Sequence, residues 1–215
     1  MKIEWYGQAA FLITSDSGAR IITDPYTPGG FGLNYTDIGE SADIVTISHD
    51  HADHSNVGGI QGNPEVVRGS TEVKGIKINA VATAHDDSGG SQRGGNNVYC
   101  FEVDGVKVCH LGDLGHMLSG EQAAAIGKVD ILLIPVGGNF TIDAKVATEV
   151  ANKLSPKVII PMHYKNERCP TFPVAGVEEF LEGKDNVVRS DESEVEYRAN
   201  DIPDEVMIQV LNPSR

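Results

Sequence analysis

The amino-acid sequence predicts an α/β fold of the α+β kind, with strands first and helices alternating with strands later. Short apolar or alternating runs separated by turn residues fill the chain up to about residue 111, a pattern typical of strands. Beyond that point, apolar residues at helical spacing alternate with short apolar runs. The 215 residues are enough for one sizeable core, so we expect a single domain over residues 1–215.

The first half of the chain predicts six strand segments. They cover residues 2–6, 10–14, 20–23, 43–47, 74–82 and 98–111. The sequence Ser15-Asp16-Ser17-Gly18 predicts a hairpin turn between the second and third segments, and Asp104-Gly105 divides the last segment into two strands.

The second half predicts three helices, at residues 119–126, 141–154 and 177–181. Ser119 is the expected cap of the first helix, since Glu121 and Gln122 follow in its first turn. Buried strands are predicted at residues 131–136 and 158–160, and closing strands at 187–188 and 206–211. Two glycine-rich segments, 25–41 and 86–97, carry no such signal, and long loops of this kind are often functional.

Composition excludes several classes of protein. The net charge of −14 repels phosphate backbones, so a nucleic-acid partner is not expected. A small anionic substrate stays compatible with that charge, because a bound metal pair inverts the local field. Three cysteines form no disulfide framework. The chain starts without a signal-peptide pattern and has no apolar run near the ~20 residues that span a bilayer, so we expect a cytoplasmic protein without a membrane partner.

A histidine-rich segment, Ser48-His49-Asp50-His51-Ala52-Asp53-His54, follows an apolar strand. In extended backbone His49 and His51 point to the same side, so both can reach one metal ion. A turn after His51 would bring Asp53 and His54 to a second ion nearby. Imidazole and carboxylate suit Zn, Mn or Fe. A solvated loop or an adventitious metal site is the alternative.

Other apolar runs also end in a histidine or an aspartate. The residues that follow such runs are Asp24, His49, His85, Asp113 and His163. Strand ends that converge on one edge of a sheet are where mixed folds build their sites. Five of the seven histidines belong to this set and the segment before it. Singly, His85 and His163 could be core or capping histidines and Asp113 a turn residue.

These motifs together resemble the metallo-β-lactamase superfamily. The resemblance rests on His-x-His-x-Asp-His at 49–54, His85, Gly112-Asp113 and His163, in that order. It is nearest to the branch of short metal-dependent hydrolases that includes ascorbate-6-phosphate lactonase. The opening Ile-Glu-Trp-Tyr-Gly-x-Ala-x-Phe-Leu-Ile and the stretches 93–96 and 110–116 fit that branch too, so the match spans residues 1 to about 165.

The resemblance implies a four-layer αβ/βα sandwich that holds two divalent metal ions between its sheets, Zn or Mn in the first place and Fe as an alternative. His49, His51 and His85 would hold the first ion. The ligands implied for the second are Asp53, His54 and His163. Asp113 would bridge both ions, and Asp24 would orient a ligand from behind. The sequence departs from many relatives at Gln8, where they carry histidine, which weakens any chemical role for that position.

The function predicted from these residues is hydrolysis of a small ester-like substrate, a lactone or a phosphodiester, by water activated on the metal pair. Asp53 and His116 are the candidate catalytic residues. His116 would act as general acid three residues beyond Asp113, although a loop histidine is an equal alternative. Arg93 is the only cation of its loop, and with Asn96 it is predicted to bind an anionic substrate, although a plain surface arginine is an equal alternative.

Two other functions remain open at this stage: a non-catalytic metal-binding protein and an Fe-dependent redox enzyme on the same fold. A homo-oligomer is also left open. The aromatic residues of the first long loop, Tyr26, Phe31 and Tyr35, either wall the substrate pocket or pack against the sheet.

Overall fold

Two β-sheets share one apolar core in the computed structural model, which describes residues 1–215. The first sheet has six strands in the order β13-β1-β2-β3-β4-β5. Its strands are β1 (Lys2–Gly7), β2 (Ala10–Thr14), β3 (Arg20–Thr23), β4 (Ile44–Thr46), β5 (Glu65–Val67) and β13 (Glu194–Glu196).

The second sheet has eight strands in the order β12-β14-β11-β10-β9-β8-β7-β6. They are β6 (Thr71–Val73), β7 (Ile76–Ala84), β8 (Gly95–Val103), β9 (Val106–His110), β10 (Ile131–Pro135), β11 (Val158–Met162), β12 (Val187–Arg189) and β14 (Met207–Val210). Antiparallel pairing joins β7 to β8 and β8 to β9, whereas β9, β10 and β11 are parallel. The strands β7, β9, β10 and β11 therefore all end at the same edge.

Three helices, α1 (Gly120–Ile126), α2 (Ala144–Leu154) and α3 (Val177–Leu181), accompany the second sheet. Helix α1 contacts β7, and α2 contacts both β10 and α3. Ser119 and Gln122 form the predicted capping box. Helix α2 begins later than predicted because the side chain of Asp143 accepts from the backbone N–H of Val146 and caps it there. The longest helix has eleven residues, and none is long and apolar enough to cross a membrane.

The six-stranded sheet is buried on both faces. Alternate residues of its strands, such as Ile13 and Ile21, join the main core, while Leu12 and Ile22 join a second apolar cluster. That cluster is completed by Tyr35 and its neighbours in the loop 25–41. The predicted α/β sandwich is confirmed, with one difference. A packed loop rather than α-helices covers the outer face of the first sheet.

The sequence pattern did not predict three of the strands, namely β5, β6 and β13. Each has three residues, and most of these are exposed, so neither alternation nor an apolar run could mark them. These strands lie at or beside sheet edges and do not affect the edge where the histidines meet.

Candidate metal centre

Four histidine rings surround the buried carboxylate of Asp113. The Oδ2 atom of Asp113 lies 3.2 Å from Nε2 of His54 and 3.3 Å from Nε2 of His85. The corresponding distances are 3.4 Å to His163 and 3.9 Å to His49. The side chains come from both sheets, since β4 leads to His49 and His54, whereas β7 and β11 lead to His85 and His163. The predicted convergence of strand ends is therefore observed.

The potential ligand atoms form three overlapping groups of three, of which one, Asp24, His49 and His54, shares its histidines with the two sets described next. Within each set the atoms lie no more than 4.8 Å apart. One set is His49, His51 and His85, and the other is Asp53, His54 and His163. These are the two groups that the family resemblance implied, and Asp113 touches members of both. We refer to these seven residues as the His/Asp cluster.

The cluster fits divalent metal ions. Nε2 of His54 and Oδ1 of Asp113 are buried and have no hydrogen-bond partner, a condition that costs free energy in a protein interior. A cation between the rings would contact both atoms. All donors are imidazole nitrogens or carboxylate oxygens, which Zn, Mn and Fe accept as ligands.

Asp24 supports the cluster from behind. Its Oδ1 accepts from the backbone N–H of Ser48 at 2.7 Å, and its Oδ2 accepts from the Ser48 hydroxyl at 2.5 Å. The same Oδ2 lies 3.0 Å from Nδ1 of His54. A carboxylate at that nitrogen keeps a proton on Nδ1, so Nε2, which faces Asp113, is the nitrogen that would bind a metal ion. The orienting role predicted for Asp24 agrees with these contacts.

The charges of the cluster favour a cation beside Asp113. Burial opposes ionisation of Asp113, yet the neighbouring His163 and His54 hold the pKa of its carboxyl well below the usual range. Burial likewise opposes a charge on His54, but Asp113 and Asp53 raise its pKa well above the ordinary value. In contrast, burial lowers the pKa of His49 to about 3. His49 is therefore a neutral ring with one unprotonated nitrogen that can bind a metal ion.

Two glycines allow the backbone to pass close to the cluster. A Cβ on Gly115 would lie 2.2 Å from the carbonyl carbon of His85. A Cβ on Gly112, whose φ is +55°, would lie 2.5 Å from Oδ1 of Asn96 and 2.6 Å from the side chain of Ser48. The sequence 112–115 therefore needs glycine on both sides of Asp113 for steric reasons.

A cavity of about 490 Å³ opens above the cluster. Its polar lining comprises His51, Asp53, His85, Asp113, His163 and Arg93. Three phenylalanines, Phe31, Phe140 and Phe172, form what we call the aromatic wall. A cavity with an apolar lining and a few convergent polar groups is typical of a small-molecule site.

Arg93 lies where the sequence analysis expected a substrate contact. Its guanidinium donates to the backbone carbonyl of Asn139 at 3.1 Å and lies 5.7 Å from the ring centre of Phe140. It is the only lysine or arginine in the cavity lining. A guanidinium has five N–H donors, so donors remain available to an anion.

The structure corrects the prediction for Asn96. This side chain is buried; its amide nitrogen donates to Thr83 and to the carbonyl of Leu111, and its Oδ1 accepts from the backbone N–H of Asp113. With its amide engaged in this way, Asn96 positions Asp113 instead of contacting substrate.

His116 is also placed differently from its prediction as a general acid. Its Nε2 accepts from the backbone N–H of Ala84 at 3.1 Å, and its Nδ1 donates to the carbonyl of Met117 at 2.8 Å. The ring lies outside the cavity lining. Because both nitrogens are bonded to backbone, His116 fastens the end of β7 and holds no proton over the cavity.

The sequence analysis missed three residues at the site. The amide nitrogen of Gln8 donates to Oδ2 of Asp53 at 3.0 Å. Gln8 therefore contacts the cluster, although many relatives carry histidine at this position. Phe140 and Phe172 follow β10 and β11 in loops without periodicity, and only the direction of those two strands could have indicated them. Of the aromatic residues in loop 25–41, only Phe31 lines the cavity, whereas Tyr26 and Tyr35 belong to the second apolar cluster.

Comparison with known proteins agrees with this geometry. Residues 2–163 match the family model described as the Beta-lactamase superfamily domain. The chain belongs to the metallo-β-lactamase superfamily. The matched region contains the whole His/Asp cluster.

Relatives of this superfamily member are named as metal-dependent hydrolases. One from Thermococcus onnurineus is 32% identical, with 76% of this chain and 84% of the relative aligned. Another from Carboxydothermus hydrogenoformans is 30% identical over 84% of this chain and 90% of the relative. A crystal structure from Thermotoga maritima, named as a Zn-dependent hydrolase of the superfamily, is 39% identical with a TM-score of 0.80, covering 98% and 97% of the two chains. The prediction of a metal-dependent hydrolase is confirmed at this level.

Proposed function

We propose that this protein hydrolyses a small ester-like substrate, a lactone or a phosphodiester, with two divalent metal ions held by the His/Asp cluster. The observation that supports it best is the division of the cluster into two ligand sets that meet at Asp113. An open cavity above both sets leaves room for substrate, unlike a closed structural metal site.

One ion would be held by His49, His51 and His85, and the other by Asp53, His54 and His163. Asp113, which is close to histidines of both sets, would be a further ligand. A metal pair supplies the Lewis acidity that makes water nucleophilic near neutral pH and polarises the oxygen of the bond to be cut. Zn or Mn suits these nitrogen and oxygen ligands.

Other side chains of the protein would orient the metal ligands and contact the substrate. Asp24 keeps the proton of His54 on Nδ1, and the Gln8 amide orients Asp53 without adding charge. The aromatic wall excludes water from one side of the cavity, which strengthens electrostatic interactions inside it. Arg93 offers an anionic group of the substrate a charged partner.

The test is hydrolysis of one sugar lactone and one phosphodiester by protein loaded with Zn or Mn. We expect turnover of one of them, and its loss in His51→Ala, because His51 is an exposed member of one ligand set. The matched control is Asp50→Ala, an exposed neighbour outside both sets. Metal binding without turnover of either substrate would instead favour a non-catalytic metal-binding protein.

A further inference from the structure

The aromatic wall connects the His/Asp cluster to Arg93 through successive ring contacts. The ring centres of His163 and Phe172 lie 5.5 Å apart, and those of Phe172 and Phe140 are also 5.5 Å apart. The guanidinium of Arg93 then lies 5.7 Å from the centre of Phe140. Two phenyl rings therefore stand between a cluster histidine and the only arginine of the cavity.

The geometry of the rings favours a planar partner. Phe140 and Phe172 are stacked with an interplanar angle of only 28°, so together they form one apolar side of the cavity that a further aromatic ring can contact. Aromatic rings attract one another in offset-stacked or edge-to-face arrangements at such spacings, and a guanidinium adds attraction to a ring face. Phe172 is buried, while Phe140 is half-buried and retains accessible surface toward the cavity.

Phe31 adds a third ring, displayed at the surface. It is 67% exposed, the highest value among the large apolar side chains, although it lines the cavity. Its φ of +55° lies in the left-handed region, which is unfavourable for a bulky residue. The chain thus tolerates both apolar exposure and backbone strain to keep a phenyl group at the mouth of the cavity.

We propose that the substrate is an ester in which an aromatic ring separates the bond that is cut from an anionic oxygen group. The ring lies along the aromatic wall, and the anion pairs with Arg93. This substrate class rests on the proposed hydrolase function for its reaction. Hydrolysis cuts the bond between the acyl or phosphoryl centre and the aryl oxygen; the water oxygen joins that centre, and a proton goes to the departing phenol.

The test measures binding of 4-hydroxybenzoate, the leaving group of one simple ester of this class, by calorimetry on the metal-loaded protein. Phenol and acetate are the comparison ligands, since each carries only one half of the recognition element. We expect 4-hydroxybenzoate to bind at least about tenfold more tightly than either, a difference of about 1.4 kcal/mol, because it makes both contacts and each comparison ligand makes only one.

Variants separate the two contacts. Arg93→Gln lowers the affinity for 4-hydroxybenzoate about tenfold and leaves phenol unchanged, while Phe140→Ala weakens both ligands. Arg189→Gln is the matched control, because this arginine pairs with Glu178 and lies outside the cavity. Thermal unfolding checks that each variant is folded, and Phe140→Leu, which keeps apolar volume without an aromatic face, replaces Phe140→Ala if that variant does not fold.

Two results would overturn the inference. In one, 4-hydroxybenzoate binds no better than acetate; in the other, Arg93→Gln leaves its affinity unchanged because the carboxylate binds the metal ions directly. Turnover of 4-carboxyphenyl acetate, compared with phenyl acetate, then separates this inference from the proposed function. Ligand binding through Arg93 and Phe140 without hydrolysis of any ester would refute the hydrolase proposal and leave only a binding site for an aromatic anion. Ester hydrolysis whose rate is unchanged by substitution of Arg93 or of Phe140 would refute only the substrate class.

Discussion

The His/Asp cluster and the aromatic wall face the same cavity but are built in opposite ways. The cluster lies at strand ends, and both its member His54 and the supporting residue Asp24 have no exposed surface. The wall lies on loops after β3, β10 and β11, and Phe31 is two-thirds exposed. Buried polar groups in a hydrogen-bonded network tolerate little change, whereas surface loops tolerate much. The positions of the cluster residues are therefore set by the sheets, whereas the shape of the wall is set by the loops.

The largest expected effect is that of Gly115→Ala on the cluster side. The added Cβ would meet backbone atoms of His85 at 2.2 Å, and no flexible side chain can move away to relieve this. We expect a loss of about 3 kcal/mol in the free energy of unfolding, measured by urea denaturation. Gly120→Ala is the control, because its Cβ meets nothing within 4 Å. Equal stability of the two variants would show that the strand ends are less rigid than described.

A smaller effect is expected for Asp24→Asn. The amide nitrogen of asparagine cannot accept a hydrogen bond, so the contacts of Asp24 with Ser48 and His54 cannot all be kept. Loss of such a supporting contact typically lowers metal affinity 10- to 100-fold, which competition with a chelator measures. Asp50→Asn, whose side chain is 81% exposed, should bind metal like the wild type. If both variants bind metal equally well, the contacts of Asp24 with Ser48 and His54 are not needed for metal binding.

His116→Ala tests a residue that lies outside the cavity although it is close to the cluster in sequence. The variant leaves the backbone N–H of Ala84 without its acceptor, so we expect a destabilisation of about 1 kcal/mol. The pH profile of kcat should keep its shape. A profile that loses its alkaline limb in the variant would restore His116 as a general acid.

The smallest change in stability is expected on the wall, for Phe31→Gly. Glycine relieves the strain of the positive φ but increases the entropy of the unfolded chain, so the two effects nearly cancel. We expect the free energy of unfolding to stay within about 0.5 kcal/mol of the wild type, with weaker binding of aromatic ligands. A marked loss of stability would mean that Phe31 is a packing residue, and the contrast between cluster and wall would fail at this position.

The apolar runs and the family resemblance together predicted the cluster, because an apolar run and the residue that ends it are adjacent in the sequence. Apolar runs that end in His85, Asp113 or His163 give both the strand and the residue at its end. The hairpin at Asp104-Gly105 and the cap at Ser119 were predicted for the same reason. Their signals lie within a few residues of one another.

The sequence could not assign roles to residues whose partners are distant along the chain. Asn96 and His116 looked like substrate and acid residues by their position near the motifs, yet each is bonded to groups of neighbouring strands. Gln8 contacts Asp53 across 45 positions. Hydrogen-bond partners at such separations are set by strand register, which no local pattern reveals.

The sequence by itself determined the superfamily, the α/β sandwich and the residues that meet at the sheet edge. Only the tertiary structure decided which residues form the cavity wall and which polar side chains remain free to act there. The physical reason is that strands follow short-range patterns of burial, whereas loops such as those of Phe140 and Phe172 are placed by packing against one another. The ester class proposed for this protein therefore depends on contacts that only the folded chain contains.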